Sequence, residues 1–344
     1  MKEKWFMPTL QDVAKLAGVS TATVSKVLSN TPYFTEETRE KVMKAVRELG
    51  YVPNLAARAL SSGKTHIISV VFPYVFDAIF QDPLVMAILE GVETECAQRG
   101  YNLLLSTPRL TKSGPDIQFQ QLLQSSYMDG IIAIDNVPTY SVAQAAREHD
   151  MPAVVIGYHE HDYVVRSDDY SGGKKLIRHL LELGHRHIGI IGVPDNMNLA
   201  INQRLDGLYS AVRDAGIDPK SLPIVYGNYS TQSGAKALRV LLDEHPHLSA
   251  IVCLNDRMAL GAIQEAKQLG YEVPERLSIV GYDDIPVSAI FHPSLTTIDQ
   301  KAPQLGQQAA AMLFKLIEGK KPEKVVLPVE LVVRQSSAAP PRTD

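Results

Sequence analysis

Polar residues directly follow several apolar segments that have the composition of buried β-strands. The carboxyl ends of parallel strands meet at one edge of a sheet, and ligands bind there where the strand order reverses. Carboxylates, amides and a guanidinium beside an aromatic ring can both accept from and donate to sugar hydroxyls. The strand-end groups are Phe72-Pro73, Asp135-Asn136, Asp168-Asp169, Asn255-Asp256 and Asp283-Asp284, and Arg204 opens a crossover helix. The pattern predicts a small-molecule cleft, although Asp256 and Asp284 are better explained as strand-end or helix-cap residues.

The elements that would position these groups alternate between strand and helix from residue 66 onward. Such alternation predicts parallel sheets that are covered by helices on both faces. The series is too long for one small sheet and divides near residues 163–168, which predicts two doubly wound parallel-sheet subdomains with a cleft between them. It ends with a helix at 304–318, one last strand at 325–333 and a polar tail at 336–344.

Residues 9–30 have the pattern of two short helices joined by a tight turn. The apolar residues of the first helix recur at helical spacing, and Thr9 with Asp12 is a capping-box start. Gly18 suits the left-handed conformation that ends a helix, and Ser20 suits the N-cap of the next one. This is the helix-turn-helix arrangement, whose second helix enters the major groove of DNA. Helix–glycine–helix units also occur as plain packing elements.

A third helix is predicted at 36–49, capped by Thr35 and ended by Gly50. The segment that follows, 54–60, is made of good helix formers but is too short for a stable isolated helix. It is either a simple linker or a helix that a partner such as DNA orders.

The charge distribution separates a basic end from an acidic body. Residues 1–64 hold 10 Lys and Arg against 6 Asp and Glu, a net charge of +4, and the remainder holds 24 against 32, a net charge of −8. A basic module on an acidic body suits a nucleic-acid-binding head on a core that does not bind nucleic acid. The N-terminus has no signal-sequence pattern and the chain has no apolar run long enough to span a membrane, so we expect a cytoplasmic protein. Cys96 and Cys253 lie far apart, which agrees with a reducing compartment.

The motifs together resemble the LacI/GalR family of bacterial transcription regulators, over about residues 8–335. The matching segments, in the family's order, are TLQDVAKLAGVSTATVSKVLS, TREKVMKAVRELGYVPNLAARAL, LGHRHIGIIG, QRLDGL, NDRMALGA, SIVGYDD and SLTTI. The resemblance implies an N-terminal all-α helix-turn-helix headpiece and an α/β periplasmic-binding-protein-like type I core. It also implies a homodimer, a pseudopalindromic double-stranded DNA operator and a small effector bound between two subdomains.

The resemblance implies domain bounds of 8–53 for the headpiece, 54–63 for a hinge helix and 64–335 for the effector-binding and dimerisation domain. Within that domain we expect a first subdomain at 64–164 and 294–322, and a second at 165–293 and 323–335. Residues 336–344 form the tail.

The resemblance also implies the DNA contacts. Thr21, Ala22 and Lys26 face base edges in the major groove, where lysine can donate to guanine and alanine can contact a thymine methyl. Lysine at position 26 replaces the arginine of many family members, so base discrimination there can differ. The predicted phosphate contacts are Ser20, Thr23, Ser25 and Asn30, and the predicted minor-groove contacts of the hinge are Asn54, Ala57 and Leu60. Paired Leu60 side chains would wedge into the central base step and kink the DNA.

For the effector, the resemblance places Arg204, Asn255 and Asp283 in the site, and Tyr229 where several sugar-responsive members have a tryptophan. Further pocket candidates are Phe72, Asp168, Tyr170 and Phe291, with Asp168 equally explained as a helix cap. A sugar is the expected effector class, with a nucleobase or a phosphoprotein co-repressor as alternatives. Whether the effector releases the protein from DNA or strengthens its binding stays open, because both occur in the family.

No cofactor, metal or catalytic site is expected. The histidine pairs 159/161 and 185/187 have the spacing of one strand face, but no cysteine lies near them, so structural or solvated histidine is the better explanation. The chain has no nucleophile elbow, phosphate-binding P-loop or dinucleotide-binding glycine pattern. We therefore predict a ligand-responsive transcription regulator that acts as a repressor, and not an enzyme. The alternative is a sugar-binding protein without a DNA role.

Overall fold

The computed structural model describes residues 8–28, 34–52, 63–72, 79–111, 114–125, 127–134, 142–159, 163–194 and 199–341. Internal contacts divide the chain into two units, Met1–Thr65 and His66–Asp344. Within the described ranges, no helix is long and apolar enough to cross a membrane.

The first unit contains helices α1 (Leu10–Ala17), α2 (Thr21–Leu28) and α3 (Glu36–Leu49). The predicted capping box is confirmed: the Thr9 N–H donates to Asp12 Oδ2 at 2.8 Å, and the Asp12 N–H donates to Thr9 Oγ1 at 3.4 Å. The sequence therefore sets the start of α1 through local contacts alone.

The turns of the first unit also follow the prediction. Gly18 and Gly50 end α1 and α3 with φ of 68° and 60°, the left-handed conformation that only glycine adopts without steric cost. The three helices close around a small core, which comprises Val13, Ala14, Val24, Val27, Val42 and Ala45.

The second unit is built on parallel sheets. Its strands are β1 (Ile67–Val71), β2 (Asn102–Ser106), β3 (Leu110–Thr111), β4 (Gly114–Pro115), β5 (Gly130–Ile134), β6 (Ala153–Ile156), β7 (Val164–Ser167), β8 (Ile188–Gly192), β9 (Ile224–Tyr226), β10 (Ala250–Cys253), β11 (Ser278–Val280), β12 (Thr297–Asp299), β13 (Val325–Leu327) and β14 (Glu330–Val332). The first sheet has the order β13-β7-β6-β5-β1-β2 and the second β11-β10-β8-β9, both with parallel pairing. Two further pairs, β12 with β14 and β3 with β4, are antiparallel.

Helices cover both sheets, as the alternating pattern predicts. They are α4 (Pro83–Gln98), α5 (Ile117–Gln124), α6 (Val142–Glu148), α7 (Asp169–Glu182), α8 (Leu199–Asp214), α9 (Thr231–Glu244), α10 (Asp256–Gln268), α11 (Pro286–Ile290) and α12 (Ala302–Ile317). Helices α4 and α12 pack on each other and on the first sheet, while α7 pairs with α8 and α9 with α10 about the second. The strand order reverses at β1 and at β8, so each sheet opens a crevice at its carboxyl edge.

Polar side chains set the starts of three helices of the second unit. Asp168, Ser230 and Asn255 cap α7, α9 and α10, and each side chain accepts a hydrogen bond from a backbone N–H of the first turn. The first turns are polar, so hydrophobic periodicity alone would place these starts too late.

The prediction of one last strand at 325–333 is wrong. β13 pairs with β7 in the first sheet, whereas β14 pairs with β12 on the side of the second sheet. Pro328 separates the two strands and has no N–H to continue a ladder. The subdomain boundaries shift accordingly, because 164–167 and 325–327 belong to the first sheet.

Residues 294–299, which the sequence assigned to the first subdomain, associate with the second sheet. Thr296 bridges to Val280, and Asp299 bridges to Asp283. The tail is also not free: the Ile279 N–H donates to Ser336 O at 2.8 Å, and Ser336 is fully buried. The first tail residues thus complete the edge of the second sheet beside β11.

Candidate functional site

The second headpiece helix, α2, buries one face and exposes the other. Val24 is fully buried and Val27 nearly so, which fixes the helix to the headpiece core. Thr21, Ala22 and Lys26, the three residues predicted to face bases, are all exposed. An exposed face at the amino-terminal end of such a helix is the surface that can enter a major groove.

Ser20 occupies the predicted N-cap of α2. The Thr23 N–H donates to Ser20 Oγ at 3.1 Å, and the hydroxyls of these two residues lie 2.9 Å apart. Ser25 is half-buried on the same helix. The remaining predicted DNA contacts lie outside the described residues: Asn30, Asn54, Ala57 and Leu60.

Arg204 on α8 is the centre of a buried polar network in the second unit and is only 5% exposed. Its Nε donates to Asp169 Oδ1 at 2.8 Å, and its Nη1 donates to the Leu254 carbonyl at 2.7 Å. Nη1 also lies 3.5 Å from Asp283 Oδ1. The guanidinium carbon is 3.8 Å from the centre of the Tyr282 ring. This arginine is therefore held in one orientation by two carboxylates, a carbonyl and an aromatic face.

The close packing of α7 against α8 brings Arg204 to Asp169. A Cβ added to Gly173 would lie 1.9 Å from the Arg204 carbonyl oxygen, and one added to Gly207 would lie 1.9 Å from the Tyr170 carbonyl oxygen. Only glycine permits this approach. Asp169 is four residues before Gly173 and so lies on the same helix face, toward α8.

Burial dominates the protonation of the two carboxyl groups around Arg204. It raises the pKa of Asp169, while the neighbouring guanidinium lowers that pKa. It also raises the pKa of Asp283 well above the usual range, and the like charges of Asp256 and Asp82 add to this effect. A carboxyl group held toward its protonated form can donate as well as accept a hydrogen bond, as a site for hydroxyl groups requires.

Asp283 is fixed by its backbone and by a second partner. Its φ of 129° is a strained conformation for a residue with a side chain. Gln300 Nε2 donates to Asp283 Oδ1 at 2.5 Å, and the Gln300 carbonyl accepts from Ser167 Oγ at 3.1 Å. The site is thus tied to the segment that leads from the first sheet into α7.

Asn255 and Tyr229, two more of the predicted effector residues, contact each other directly. Asn255 is buried and follows Leu254, whose carbonyl binds Arg204. Its Oδ1 accepts from the Met258 N–H at 3.0 Å, and its Nδ2 donates to the Tyr229 carbonyl at 3.1 Å. Tyr229 adopts a φ of 69°. Arg204, Asn255 and Asp283, predicted to share a site, are thus brought together by direct contacts and by the Leu254–Asn255 step.

Four other residues were predicted to bind the effector, and their contacts are with residues other than Arg204, Asn255 and Asp283. They are Phe72, Asp168, Tyr170 and Phe291. Phe72 is fully buried in the core of the first sheet, 6.1 Å from the Phe80 ring. Asp168 caps α7, accepting from the Ser171 N–H at 3.1 Å and the Ser171 hydroxyl at 2.6 Å. Tyr170 is 39% exposed on the first turn of α7. Phe291 is half-buried against the core of the second sheet.

Several residues of the network were missed by the sequence analysis. They are Asp169, Tyr282, Gln300 and Tyr158, whose side chain helps to lower the pKa of Asp169. Asp169 stands in the strand-end pair that was singled out, but the binding role was given to its neighbour Asp168. Helical phase is the signal that could have found it, since Asp169 and Gly173 share a face.

A charged pair that was also missed joins the two halves of the second unit. Arg257 Nη1 on α10 lies 3.5 Å from Asp82 Oδ2, and both side chains are 25% exposed. Asp82 caps α4, accepting from the Leu84 N–H at 3.0 Å. Leu84 packs against the cores of both sheets. The first turn of α4 therefore contacts the second half of the fold.

Asp256 and Asp284 have structural partners, but neither is the helix cap that was expected, since Asn255 caps α10. Asp256 is fully buried, and its oxygens accept from the Ile285 N–H at 3.0 Å, the Ser288 hydroxyl at 2.7 Å and the Thr297 hydroxyl at 2.5 Å. It thereby connects α10, α11 and β12. Asp284 pairs with Arg334 at 2.7 Å.

The burial of Asp256 gives a prediction for stability against pH. Burial raises the pKa of this carboxyl from 3.8 to about 6. Because the folded state then binds the proton more tightly than the unfolded chain, Asp256 removes stability as the pH rises from about 4 to about 6. We expect Asp256→Asn to gain about 1–2 kcal/mol relative to the wild type across this window. Urea unfolding at a series of pH values measures the difference.

The matched control for this variant is Asp218→Asn. Asp218 caps a short 3-10 helix, and the asparagine keeps the acceptor for the Lys220 N–H. Because this cap is exposed, the variant reports what the loss of one acidic charge does to stability outside the buried network. A difference for Asp256→Asn that is constant from about pH 4 to about pH 6 would contradict the assignment.

His185 and the two cysteines have structural surroundings, whereas His161 lies outside the described residues. His185 is buried, with Nδ1 2.9 Å from Ser249 Oγ and Nε2 2.8 Å from the Ala338 carbonyl, and burial lowers its pKa. Among the described residues, no cluster of three or more His, Cys, Asp or Glu has the geometry to hold a metal. Cys96 and Cys253 are buried and unbonded, and burial raises the pKa of the Cys96 thiol to about 12.

Models of two known protein families match this chain, one in each of the two units. The model for bacterial regulatory proteins of the lacI family matches residues 9–54, and that for a periplasmic binding protein-like domain matches residues 177–337. The HTH-type transcriptional regulator CelR of Thermobifida fusca is 33% identical over 339 residues, which covers 96% of this chain and 98% of that protein. A structure of a CelR–cellobiose complex has a TM-score of 0.72 at 31% identity and covers 96% of this chain and 99% of that chain. The lac repressor dimer bound to operator and the anti-inducer ONPF has a TM-score of 0.83 at 27% identity, over 97% of this chain and 100% of that one.

Proposed function

The chain belongs to the lacI family of bacterial regulatory proteins, and from that premise we propose that it is a transcriptional repressor whose hold on DNA is controlled by a sugar. It acts as a homodimer that places one recognition helix from each subunit in the major groove of a pseudopalindromic operator. The similar lac repressor structure is a dimer on operator DNA. Its place of action is the bacterial cytoplasm, where the operator is.

The DNA-binding role is supported above all by the exposed face of α2. Thr21, Ala22 and Lys26 reach base edges, while the buried Val24 and Val27 keep the helix fixed. Ser20, Thr23 and Ser25, with Asn30, position the headpiece on phosphates without reading sequence. The hinge residues Asn54, Ala57 and Leu60 then occupy the minor groove.

The effector role is supported by the convergence of Arg204, Asn255 and Asp283 at the carboxyl edge of the second sheet. Guanidinium, amide and carboxyl groups bind sugar hydroxyls, and Tyr229 and Phe291 supply apolar surface for a sugar ring. Phe72, Asp168 and Tyr170 are assigned to the outer wall of the same site. The structure of the CelR relative holds cellobiose, which favours a sugar over the nucleobase or phosphoprotein alternatives.

The mechanism is a shift between two arrangements of the subdomains. The effector moves this equilibrium only by the difference in its affinity for the two arrangements. The arrangement of the first subdomains across the dimer decides whether both hinge helices can form and meet. An effector that favours one arrangement releases the DNA, and an effector that favours the other strengthens DNA binding. The selection experiment described next distinguishes the two.

Selection of genomic DNA fragments with the purified full-length chain tests the proposal, with a chain lacking residues 1–63 as control. We expect the full chain alone to retain a pseudopalindromic fragment. Repeating the selection with added sugars shows whether the effector lowers or raises retention. Sugar binding without DNA retention under any condition would refute the repressor and favour a binding protein.

A single substitution tests the hinge. Leu60→Gly should weaken operator binding by about 10- to 100-fold, since the wedge that stabilises the bent DNA is lost from both subunits. Sugar affinity should stay unchanged, because the substitution leaves the cleft intact. Gel-shift titration and calorimetry measure the two affinities. Equal operator affinity of variant and wild type would rule out the wedge.

A further inference from the structure

We propose that Gln300 is a positioning residue that couples the effector site to the segments joining the two sheets, and that it acts through Asp283. This inference rests on the proposed sugar-responsive function. It goes beyond that function because it names the side chain that carries the effect of a bound sugar out of the effector site.

Three segments of the described chain pass between the two halves of the second unit. They are 167–168 between β7 and α7, 299–301 between β12 and α12, and 327–330 between β13 and β14. We call them the first, second and third connecting segments. A hinge between two halves of a protein consists of a few such residues at the ends of helices and strands.

Two contacts hold the third connecting segment to the other two. The Asp168 N–H donates to the Leu327 carbonyl at 3.0 Å, which joins the first segment to the third. Lys301 Nζ lies 3.0 Å from Glu330 Oε2, which joins the second segment to the third. Lys301 also has a φ of 58°, a left-handed conformation that costs free energy in a residue with a side chain. The second segment is thus strained and is linked to its neighbours.

Gln300 joins the first segment to the second through its backbone and reaches the effector site through its side chain. Its carbonyl accepts from Ser167 Oγ at 3.1 Å, and its Nε2 donates to Asp283 Oδ1. Gln300 is 5% exposed and Ser167 is 3% exposed. Because water cannot readily replace a lost partner in such a buried place, both hydrogen bonds hold their groups firmly.

The contact between Gln300 and Asp283 does not depend on the charge of the aspartate. A protonated carboxyl group keeps an acceptor oxygen, so Oδ1 can accept from Gln300 in either form. The Asp283 N–H also donates to the Ile298 carbonyl at 2.9 Å, and Asp283 bridges to Asp299. A sugar hydroxyl that binds Asp283 therefore acts on the direct partner of Gln300, and through Gln300 on the connecting segments.

The full-length protein and its selected operator fragment provide the test. The probes are cellobiose, maltose, glucose, galactose, ribose and fructose, and the one that changes the operator affinity of the wild type most is used for every variant. Fluorescence anisotropy measures operator affinity without sugar and with saturating sugar, and the ratio of the two affinities is the response factor. Calorimetry measures sugar affinity, and urea unfolding measures stability.

Gln300→Met removes the N–H that Asp283 accepts and keeps a side chain of similar length. We expect the response factor to fall from the range of about 5- to 150-fold that is usual in allosteric proteins to about 2-fold or less. Sugar binding should weaken by no more than about 10-fold, since Asp283 keeps Arg204 as a partner. A response factor equal to that of the wild type would overturn the inference. Complete loss of sugar binding would also overturn it, because Gln300 would then be a binding residue.

Ser167→Ala tests the same coupling from the other end, and it decides the question if Gln300→Met does not fold. The substitution removes the hydroxyl that donates to the Gln300 carbonyl and leaves the Gln300 side chain in place. We expect the response factor to fall by at least about 3-fold while sugar affinity stays as in the wild type. An unchanged response factor in this variant would overturn the role given to the connecting segments.

Gln120→Met is the matched control. Gln120 on α5 donates its Nε2 to the Pro115 carbonyl at 2.8 Å, within the first half of the fold. Its loss should lower the free energy of unfolding, as the loss of any structural hydrogen bond does, and leave the response factor unchanged. An equal fall of the response factor in Gln120→Met and Gln300→Met would overturn the specific role of Gln300.

The wild type separates this inference from the function on which it rests. If none of the six sugars changes its operator affinity, the sugar-responsive repressor fails, and this inference fails with it. If the wild type responds and the variants respond equally, only the coupling through Gln300 fails.

Discussion

Replacing Arg204 with methionine is expected to abolish sugar binding and to lower the free energy of unfolding by about 3–5 kcal/mol. Arg204 is buried and is the shared partner of Asp169 and Asp283. Methionine fills much of the same volume, so the loss comes from two buried carboxyl groups without their cation and from the Leu254 carbonyl without its donor. Urea unfolding measures the stability, and titration with the sugar that binds the wild type most tightly measures the function.

The size of this loss should depend on pH in a defined direction. Arg204 lowers the pKa of both Asp169 and Asp283, and burial raises both. Without the guanidinium, the folded state holds these protons to higher pH, so the variant loses more stability than the wild type as the pH rises. We expect the deficit to be smallest near pH 4 and to grow toward pH 8.

Arg239→Met is the matched control. Arg239 pairs with Glu265 between α9 and α10, but its side chain is 52% exposed. Its partner Glu265 is 10% exposed, so the pair has one solvated and one buried member. Its loss should cost less than the loss of the fully buried Arg204 and should leave sugar binding unchanged. A stability loss at Arg204 no greater than at Arg239 would contradict the network described above.

The headpiece could be predicted from sequence in detail because its determinants are local. Thr9 and Asp12 satisfy each other's backbone across three residues, and Gly18 needs only its own φ. Ser20 bonds to Thr23 in the same way. Contacts this short depend on spacing alone, so reading the spacing is sufficient.

The cleft could be predicted only in part because its contacts join distant segments. The strand-end rule and the family resemblance together indicated Arg204, Asn255 and Asp283. The buried partner Asp169 stands 35 residues before Arg204 and Asp283 stands 79 after it. No local pattern reports which of two adjacent aspartates turns toward a helix that follows much later in the chain.

The end of the chain shows a second limit of reading patterns. Residues 336–341 are rich in serine, alanine and proline and have the composition of a loose tail. Ser336 is nevertheless fully buried, and its hydroxyl donates to the Ile279 carbonyl at 2.5 Å. A polar segment can be buried at a sheet edge when each of its polar atoms forms a hydrogen bond. Hydropathy does not detect such partners.

Reversing the charge of Lys26 is expected to have the largest effect on DNA binding. Lys26 is exposed on α2 beside the buried Val27, so Lys26→Glu should leave the headpiece folded. The loss of one base contact costs about 1–3 kcal/mol, and a dimer loses two, which lowers operator affinity by about 30- to 20,000-fold before repulsion is added. Fluorescence anisotropy with labelled operator at several salt concentrations measures this loss.

The loss of a base contact must be distinguished from a general change in headpiece charge. The variant Lys44→Glu is the control for this. Lys44 lies on α3, is 74% exposed and makes only a weak pair with Glu48 at 3.9 Å, so both variants change the headpiece charge equally. If Lys26 reads a base, Lys26→Glu weakens the operator far more than random DNA, while Lys44→Glu weakens both by a similar, small factor. Equal losses for the two variants, on operator and random DNA alike, would mean that Lys26 contributes only to the general field of the basic headpiece. Binding by Lys26→Glu with an altered base preference at one symmetric pair of positions would instead assign Lys26 to those bases.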